Sequence, residues 1–485
     1  MCKHHNPPRD GSWPSKLIAV LCAVLFLSAC KTFSPDGGMD LVAGIAAIEL
    51  RKDVAVIRHP DEAIIVRERV EELLRRPLSA DAAVQIALLN NRGLQANYNA
   101  LGIAEAEMVE ASLPPSPAVS LERLANPLEI EIERRIVGNI LALLTLPARA
   151  TIAADRFQQA QLRAAKETIR VAAETRRSYY RAVASREAVG FLSQAKTAAE
   201  TASQLAKRLG ETGAMNKLDQ AREHVFYAEI TAQVATARQR AASEREKLTR
   251  AMGLWGNDVG FKLPASLPPL PRRPQAMPDI EIAAIERRID VQIARMEVDA
   301  LAKSYGLTQA SRFVNLLEVA GIKKTVKDRA TGEKDHARGF EVELQVPIFD
   351  FGEVRVRKAE QTYMQGVNQL AEKAVNARSE AREAYRAYRS SYDIAAHYRR
   401  EVLPLRKIVS DETQLRYSAM QIDVFALLAE ARQRTNTTMQ AIEARREFWL
   451  ASVDLGVAVI GGSAAGGVGE GSTPAVAASG GEGGH

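Results

Sequence analysis

Phe340-Glu341-Val342-Glu343-Leu344-Gln345-Val346-Pro347 alternates apolar and polar side chains with a period of two, the pattern of a strand with one greasy and one wet face. A long helical pattern begins directly after it. Two hundred positions earlier (347 minus 147), Ile140-Leu141-Ala142-Leu143-Leu144-Thr145-Leu146-Pro147 ends on a proline in the same way and opens the same kind of helix. The chain therefore reads as an internal repeat, and Pro147 and Pro347 are expected to mark two strand-to-helix junctions. No proline occurs between Pro147 and Pro264, so the sequence supports helices far longer than the ~10 to 14 residues usual in globular proteins. Residues 148 to 209, as one helix, would extend ~90 Å.

Working outward, repeat one covers residues 79–253. A helix from Ser79 to about Ser112 stops before Pro114, Pro115 and Pro117, because the residue before a proline is pushed out of the helical region. Strand candidates follow at Ala118 to Arg123 and Ile140 to Leu146, then the long helix, a tip around Gly210 to Asn216, and a returning helix to Met252. Residues 254–278 are a Pro-rich connector, poor in donors and stiff. Repeat two covers residues 279–460. It holds a helix from Asp279 to Tyr305, a strand from Arg312 to Val319, a charged loop from Gly321 to Gly339, and the strand Phe340 to Val346. Its long helix runs to about Arg416 with a kink at Pro404, and the chain returns from Met420 to about Leu455. Residues 461–485 form a Gly/Ala/Ser tail expected to be disordered.

The helices carry narrow seams. Ala221, Val225, Ala228, Ala232, Ala235, Gln239 and Ala242 alternate steps of four and three, as do Leu428, Ala431, Thr435, Thr438, Ile442, Arg445 and Trp449. This is coiled-coil spacing. A simple coiled coil has no use for the strand pair that precedes each helix pair. Four strands cannot close a membrane barrel, since about eight is the smallest common number, so oligomerisation is expected to supply the rest. In the last strand Phe340, Val342, Leu344 and Val346 would face lipid, and Glu341, Glu343 and Gln345 a polar lumen.

At the N-terminus Lys3, Arg9 and Lys16 precede an apolar run from Leu17 to Leu27, followed by Ser28-Ala29-Cys30. Residues 1–29 resemble a lipoprotein signal peptide. In such signals the thiol of the cysteine, here Cys30, takes a diacylglycerol by thioether, the peptide is cut before it and the new amine is acylated, as with palmitate; Lys31 in place of aspartate implies outer-membrane sorting. Residues 30–78 would then be an N-terminal periplasmic segment with a short helix at Asp61 to Arg75. Cys2 and Cys22 leave with the signal, so no intramolecular disulfide is possible in the mature chain. Formal charge falls from +6 to +4 on removing three bases and Asp10; so mild a basic excess says little about partners, and nucleic acid is not a sensible one for an exported chain. No mature stretch reaches the ~18 apolar residues of a spanning helix, leaving a β-barrel as the one way across a bilayer.

The double repeat, the opening Ala82-Ala83-Val84-Gln85-Ile86-Ala87-Leu88-Leu89-Asn90-Asn91, the junction Val346-Pro347-Ile348-Phe349-Asp350-Phe351-Gly352 and the tips at Gly213 to Asp219 and Arg416 to Leu428 together resemble the TolC-like outer-membrane efflux protein family over residues 79 to 455. The resemblance implies an α plus transmembrane β fold: a homotrimer with a twelve-stranded barrel in the outer membrane, continued by a twelve-helix periplasmic tunnel. It implies an efflux or transport duct docking to a periplasmic adaptor, through tips that include Gly213 and Met420, and to an inner-membrane transporter of the resistance-nodulation-division type. It also implies a gate. Asp219 and Tyr417 match a family pair whose carboxylate and phenol hold the hairpins together, while Leu218 and Ile422 fall where a second link stands and would make it apolar. Ala426 and Ala429 replace aspartates found in some members, so an acidic ring is not expected there.

Other functions fit less well. His59, His224, His336, His397 and His485 are scattered without metal-ligand spacing, and no nucleophile elbow or phosphate loop is present, so neither an enzyme, a metal site nor a cofactor is expected. Two alternatives remain open: the outer-membrane conduit of a type I protein secretion system, and a structural coiled-coil lipoprotein without a channel. Cargo and transporter are not encoded in these residues.

Overall fold

The computed structural model describes residues 33–461; the expected signal peptide, Cys30 and the expected tail beyond Gly461 lie outside the described residues. In chain order the elements are α1 (Asp40–Ile45), α2 (Pro60–Leu74), α3 (Ala80–Asn90), α4 (Arg92–Ser112), β1 (Ala118–Ala125), β2 (Glu129–Asn139), α5 (Ile140–Glu211), α6 (Lys217–Met252), α7 (Ile280–Arg287), α8 (Ile289–Ala310), β3 (Leu316–Asp328), β4 (Lys334–Gln345), α9 (Glu353–His397), α10 (Leu403–Ser418) and α11 (Val424–Ile460). They form two compact units. The first takes residues 33–44, 96–165 and 293–371, and the second residues 45–95, 166–292 and 372–461.

The first unit holds an antiparallel sheet in the order β1-β2-β3-β4. Three of its strands differ from the sequence expectation. Ile140 to Leu146, expected as a strand, forms the first turns of α5, because Asn139 Oδ1 accepts from the Ala142 N–H at 2.7 Å and caps the helix there. A continuous apolar run has no period to tell strand from helix. Pro147 consequently sits inside α5 and marks no junction. Proline has no N–H to give the Leu143 carbonyl one turn back, and the helix runs on through it.

The expected charged loop, Gly321 to Gly339, is largely strand. β3 and β4 run to a short turn at residues 329–333, where Asp328 Oδ1 accepts from the Ala330 and Thr331 N–H groups at 2.7 and 2.9 Å. Pro347 does lie between strand and helix, in the turn joining β4 to α9. That turn needs glycine at 352: φ is +75°, and a Cβ there would stand 2.1 Å from the Arg312 carbonyl oxygen. In the same unit Met108, Val109 and Ala153 form a small core, and the buried Glu105 carboxylate accepts from the Ser34 N–H and hydroxyl at 2.6 and 2.5 Å.

The second unit is helical. Each expected opening helix is broken once, at Asn91 (φ −70°, ψ 114°) and at Arg288 (φ −63°, ψ 122°). Asn91 bridges the break with an amide that donates to the Ala251 carbonyl at 3.0 Å and accepts from the Leu94 N–H at 3.1 Å. Arg288, 2% exposed, does so with charge: it holds Asp290 through two bonds of 3.0 and 2.7 Å and Glu380 at 2.7 Å. Burial alone would raise the Asp290 carboxyl, but this guanidinium outweighs it and keeps the pKa below 3.8. Neither break residue is glycine or proline, the strongest boundary signals.

The connector is more than a spacer. Leu263, Leu267 and Leu270 are 3 to 6% exposed and pack into two cores, one around Tyr179, Tyr180, Leu248 and Met252 and the other around Tyr388, Tyr392 and Phe448. Burial pushes the Tyr179 phenol up to about 12, and it donates to the Leu78 carbonyl at 3.0 Å. At Pro404 the chain does not simply kink; a π turn at Tyr398–Val402 precedes it, supplying the wider turn that a missing donor requires.

On α11 the expected seam holds in part, with Leu428, Thr435 and Ile442 buried. On α6 it does not. Phe226, Ile230 and Val234 are buried there, while Ala221, Val225, Ala228 and Ala232 are exposed, because three large side chains one turn apart outcompete alanines for the core.

Candidate functional site

Two regions carry chemistry beyond packing. The first is the sheet, whose two faces differ completely in charge. Pairing places Val119, Ile136, Gly321 and Phe340 in one cross-strand row, and alternation then assigns every strand residue to a face. All nine acidic residues of the strands fall on the opposite face: Glu122, Glu129, Glu131, Glu133, Glu318, Asp328, Asp335, Glu341 and Glu343. Two bases accompany them. Arg135 pairs with Glu341 at 3.0 Å and Lys324 pairs with Glu131. The other face holds no acid. It exposes Phe340 by 82%, Val342 by 55% and Leu344 by 54%, the residues expected to face outward.

The second region is the pair of hairpin tips. α5 ends on Gly213 (φ +74°) and α10 on Met420 (φ +59°), both left-handed. The hydrogen bonds repeat as well. Gly213 N–H donates to the Gly210 carbonyl and Ala214 N–H to that of Leu209; Met420 N–H donates to the Tyr417 carbonyl and Gln421 N–H to that of Arg416. This closes the last carbonyls of each helix. Each returning helix starts with a side-chain cap, Asn216 accepting from Asp219 N–H and Asp423 from Ala426 N–H, at 2.9 Å in both. Every one of these positions is offset by 207 (420 minus 213, 423 minus 216), the register read from the sequence.

The gate residues are less simply arranged. Asp219 accepts from Asn216 Nδ2 at 2.7 Å, and its other oxygen lies 3.8 Å from the Arg222 guanidinium. Among the described residues of this single chain the Tyr417 hydroxyl makes no hydrogen bond, so the two expected partners are not joined within it. Leu218 is 59% exposed and Ile422 half-buried. What does join the tips is Arg222, stacked 4.3 Å from the Phe425 ring centroid. One heptad along, Arg432 stacks 5.3 Å from Phe226 and pairs with Glu229 at 3.3 Å. Arg-on-aromatic contacts tolerate solvent at one edge, which suits a small tip.

Between these two clamps sits Glu223, 2% exposed, with one carboxylate oxygen lacking any hydrogen bond. Burial pushes its pKa above 4.5, partly offset by Arg432. Sequence reading missed it; its spacing three residues before Phe226, on the stripe continued by Ile230 and Val234, was the available signal. Among the described residues no group of three His, Cys, Asp or Glu side chains could hold a metal ion, and no helix is long and apolar enough to cross a membrane.

No family model matches the sequence. Over 284 residues the chain is 24% identical to the cobalt-zinc-cadmium resistance protein CzcC of Cupriavidus metallidurans, a match taking in 56% of this chain and 64% of CzcC. The chain thus spans just under two thirds of the length of that curated relative. Its fold is similar to the Campylobacter jejuni CmeC outer membrane channel, with a TM-score of 0.66, 14% identity and coverage of 86% of this chain and 91% of that one. It is also similar to CusC, described for its transmembrane channel formation (0.65, 16%, covering 81% and 92%), and to the open state of the Neisseria gonorrhoeae MtrE outer membrane channel (0.64, 14%, covering 81% and 89%). The chain has the fold of these outer-membrane channels, as the sequence resemblance implied.

Proposed function

We propose that this chain is the outer-membrane exit duct of an efflux system and that its cargo is cationic, metal ions above all. Three copies would join their four-stranded sheets into a twelve-stranded barrel, continued by a twelve-helix periplasmic tunnel. Cys30 would carry the lipid anchor. The tips at Gly213 and Met420 would meet a periplasmic adaptor and through it an inner-membrane transporter, and Asp219 with Tyr417 would hold the tunnel shut across neighbouring hairpins.

The observation that carries this reading is the charge division of the sheet inside a channel fold. A membrane sheet with free β1 and β4 edges must close on other copies, because unpaired backbone groups are not tolerated in lipid. The face bearing nine acids then lines the lumen, where rings of carboxylates favour cations. The name of the CzcC relative points to the same class of cargo.

Planar-bilayer recording of the purified protein tests it. Cation-selective channels from a trimer are expected, and Glu133→Gln/Glu318→Gln/Glu343→Gln should move the reversal potential toward zero selectivity. Asp219→Ala/Tyr417→Phe should raise resting conductance, since a phenol-to-carboxylate bond is worth ~1.5 to 3 kcal/mol before solvent weakens it. A stable monomer without conductance would return weight to the structural coiled coil.

A further inference from the structure

The lipid-side face of the sheet is not uniformly apolar. From Leu344 through Val342 to Phe340 on β4, and across to Val319, Ile136 and Val119, it is hydrocarbon. Toward the β1–β2 and β3–β4 turns it becomes basic, with Arg123, Arg134, Lys323, Lys327, Lys334 and Arg338. All six are exposed. None forms an ion pair among the described residues, whereas both bases of the opposite face are paired.

Three of the six stand in direct cross-strand register, Arg134 beside Lys323 beside Arg338. Like charges placed opposite one another destabilise a sheet, and here no acid on that face relieves them. Such an arrangement persists in a membrane where something anionic comes to it from outside. We infer that this cluster binds the phosphate groups of a phosphorylated glycolipid in the outer leaflet.

Depth supports that occupant. Phe313, Phe349 and Phe351, 55 to 98% exposed, stand at the helical end of the strands, as an interfacial girdle does. Along a strand rising ~3.3 Å per residue and tilted ~40°, the basic rows begin ~15 Å in depth beyond Leu344, in the outer part of an apolar band ~25 Å tall, and their long side chains reach outward from there. Arginine and lysine there meet headgroups rather than acyl chains. Arginine forks match phosphate oxygens in pairs, and lysines add point charge.

The inference rests on the duct reading, which fixes the turns outside the cell and this face toward lipid. The test uses the full-length acylated trimer in phosphatidylcholine nanodiscs containing diphosphorylated lipid A or the same lipid stripped of both phosphates, with bound lipid read by native mass spectrometry. Preferential retention of the diphosphorylated form is expected. Arg134→Gln/Lys323→Gln/Arg338→Gln should weaken it about 100-fold, at roughly a factor of five per cation near a charged surface. Lys327→Gln/Lys334→Gln, at the strand ends where packing is slight, should weaken it about 30-fold on the same scale, so the idea stays testable if the triple variant fails to assemble.

Equal retention of the two lipids, or variants that bind lipid A as the parent does, would overturn the inference. So would variants that leave lipid binding intact but shift the reversal potential, since the cations would then line the lumen. Wild-type trimers that never conduct would instead remove the duct reading beneath it.

Discussion

The two halves of the helical unit build the same geometry from different chemistry. At the break in the opening helix, Asn91 works through a neutral amide, while Arg288 works through a buried ion triad. At the tip, Gly213 adopts the left-handed conformation at no steric cost, while Met420 adopts it against its own Cβ. The caps divide likewise into Asn216 and Asp423. What repeats is the pattern of backbone bonds, and residue identity is free wherever another side chain can satisfy the same orphan group. The difference should therefore appear in energetics and pH response, not in shape.

The largest expected effect is at the breaks. Arg288→Ala strands Asp290 and Glu380 without their cation and should cost ~3 to 5 kcal/mol, against ~1 to 2 kcal/mol for Asn91→Ala, which loses a cap and one hydrogen bond. Denaturant titration followed by tryptophan fluorescence measures both. Equal losses would mean that the triad contributes no more than the amide. Next comes Gly253, which closes α6 at φ +69° with Asn90 O only 2.7 Å from where a Cβ would sit. Gly253→Ala should cost ~1 to 3 kcal/mol, whereas Gly456, inside α11 with open space where a Cβ would sit, should accept alanine with less loss in the same titration.

At the tips Met420→Gly should stabilise the turn by ~1 kcal/mol, read as slower amide exchange at residues 417–421. The methionine is 94% exposed, so its strain is not returned by packing within the chain. Loss of adaptor capture in that variant is expected if the side chain docks; unchanged capture would remove Met420 from the docking surface. The smallest effect concerns two buried carboxylates with opposite responses. Asp290, depressed by Arg288, adds stability above about pH 3.8 that disappears as the pH falls through its lower folded value. Glu223, raised by burial, is favoured protonated, so its contribution is present below about pH 4.5 and lost as the pH rises through its folded value. Glu223→Gln should flatten the second dependence and leave the first, which thermal unfolding across pH 3 to 7 would reveal.

Much of this was legible in the chain. The hairpins ended where Gly210 to Asn216 and Met420 said they would, because tips need left-handed residues and caps, both of which are local signals. The strands were harder. Ile140 to Leu146 has strand composition without strand period, and Asn139, the residue that decided it, acts through one side-chain bond. The outer parts of β3 and β4, from Gly321 to Gly339, looked like loop because their charges alternate between two exposed faces, so neither face is apolar throughout. At the gate the sequence named Asp219 and Tyr417, and the single chain instead joins its tips through Arg222 and Phe425, an attraction that leaves no spacing rule to read.

The π turn at Tyr398–Val402 has a bearing on how such long helices tolerate insertions and deletions. The second arm is helical from Glu353 to Ser418 and contains the π turn, whereas the first is one regular helix from Ile140 to Glu211. One extra residue in a regular helix would rotate everything beyond it by ~100°, turning Leu415 and Tyr417 to other sides of the hairpin. A π turn takes in one surplus residue locally, so such helices can gain or lose single codons at a point like this while their far ends stay in phase.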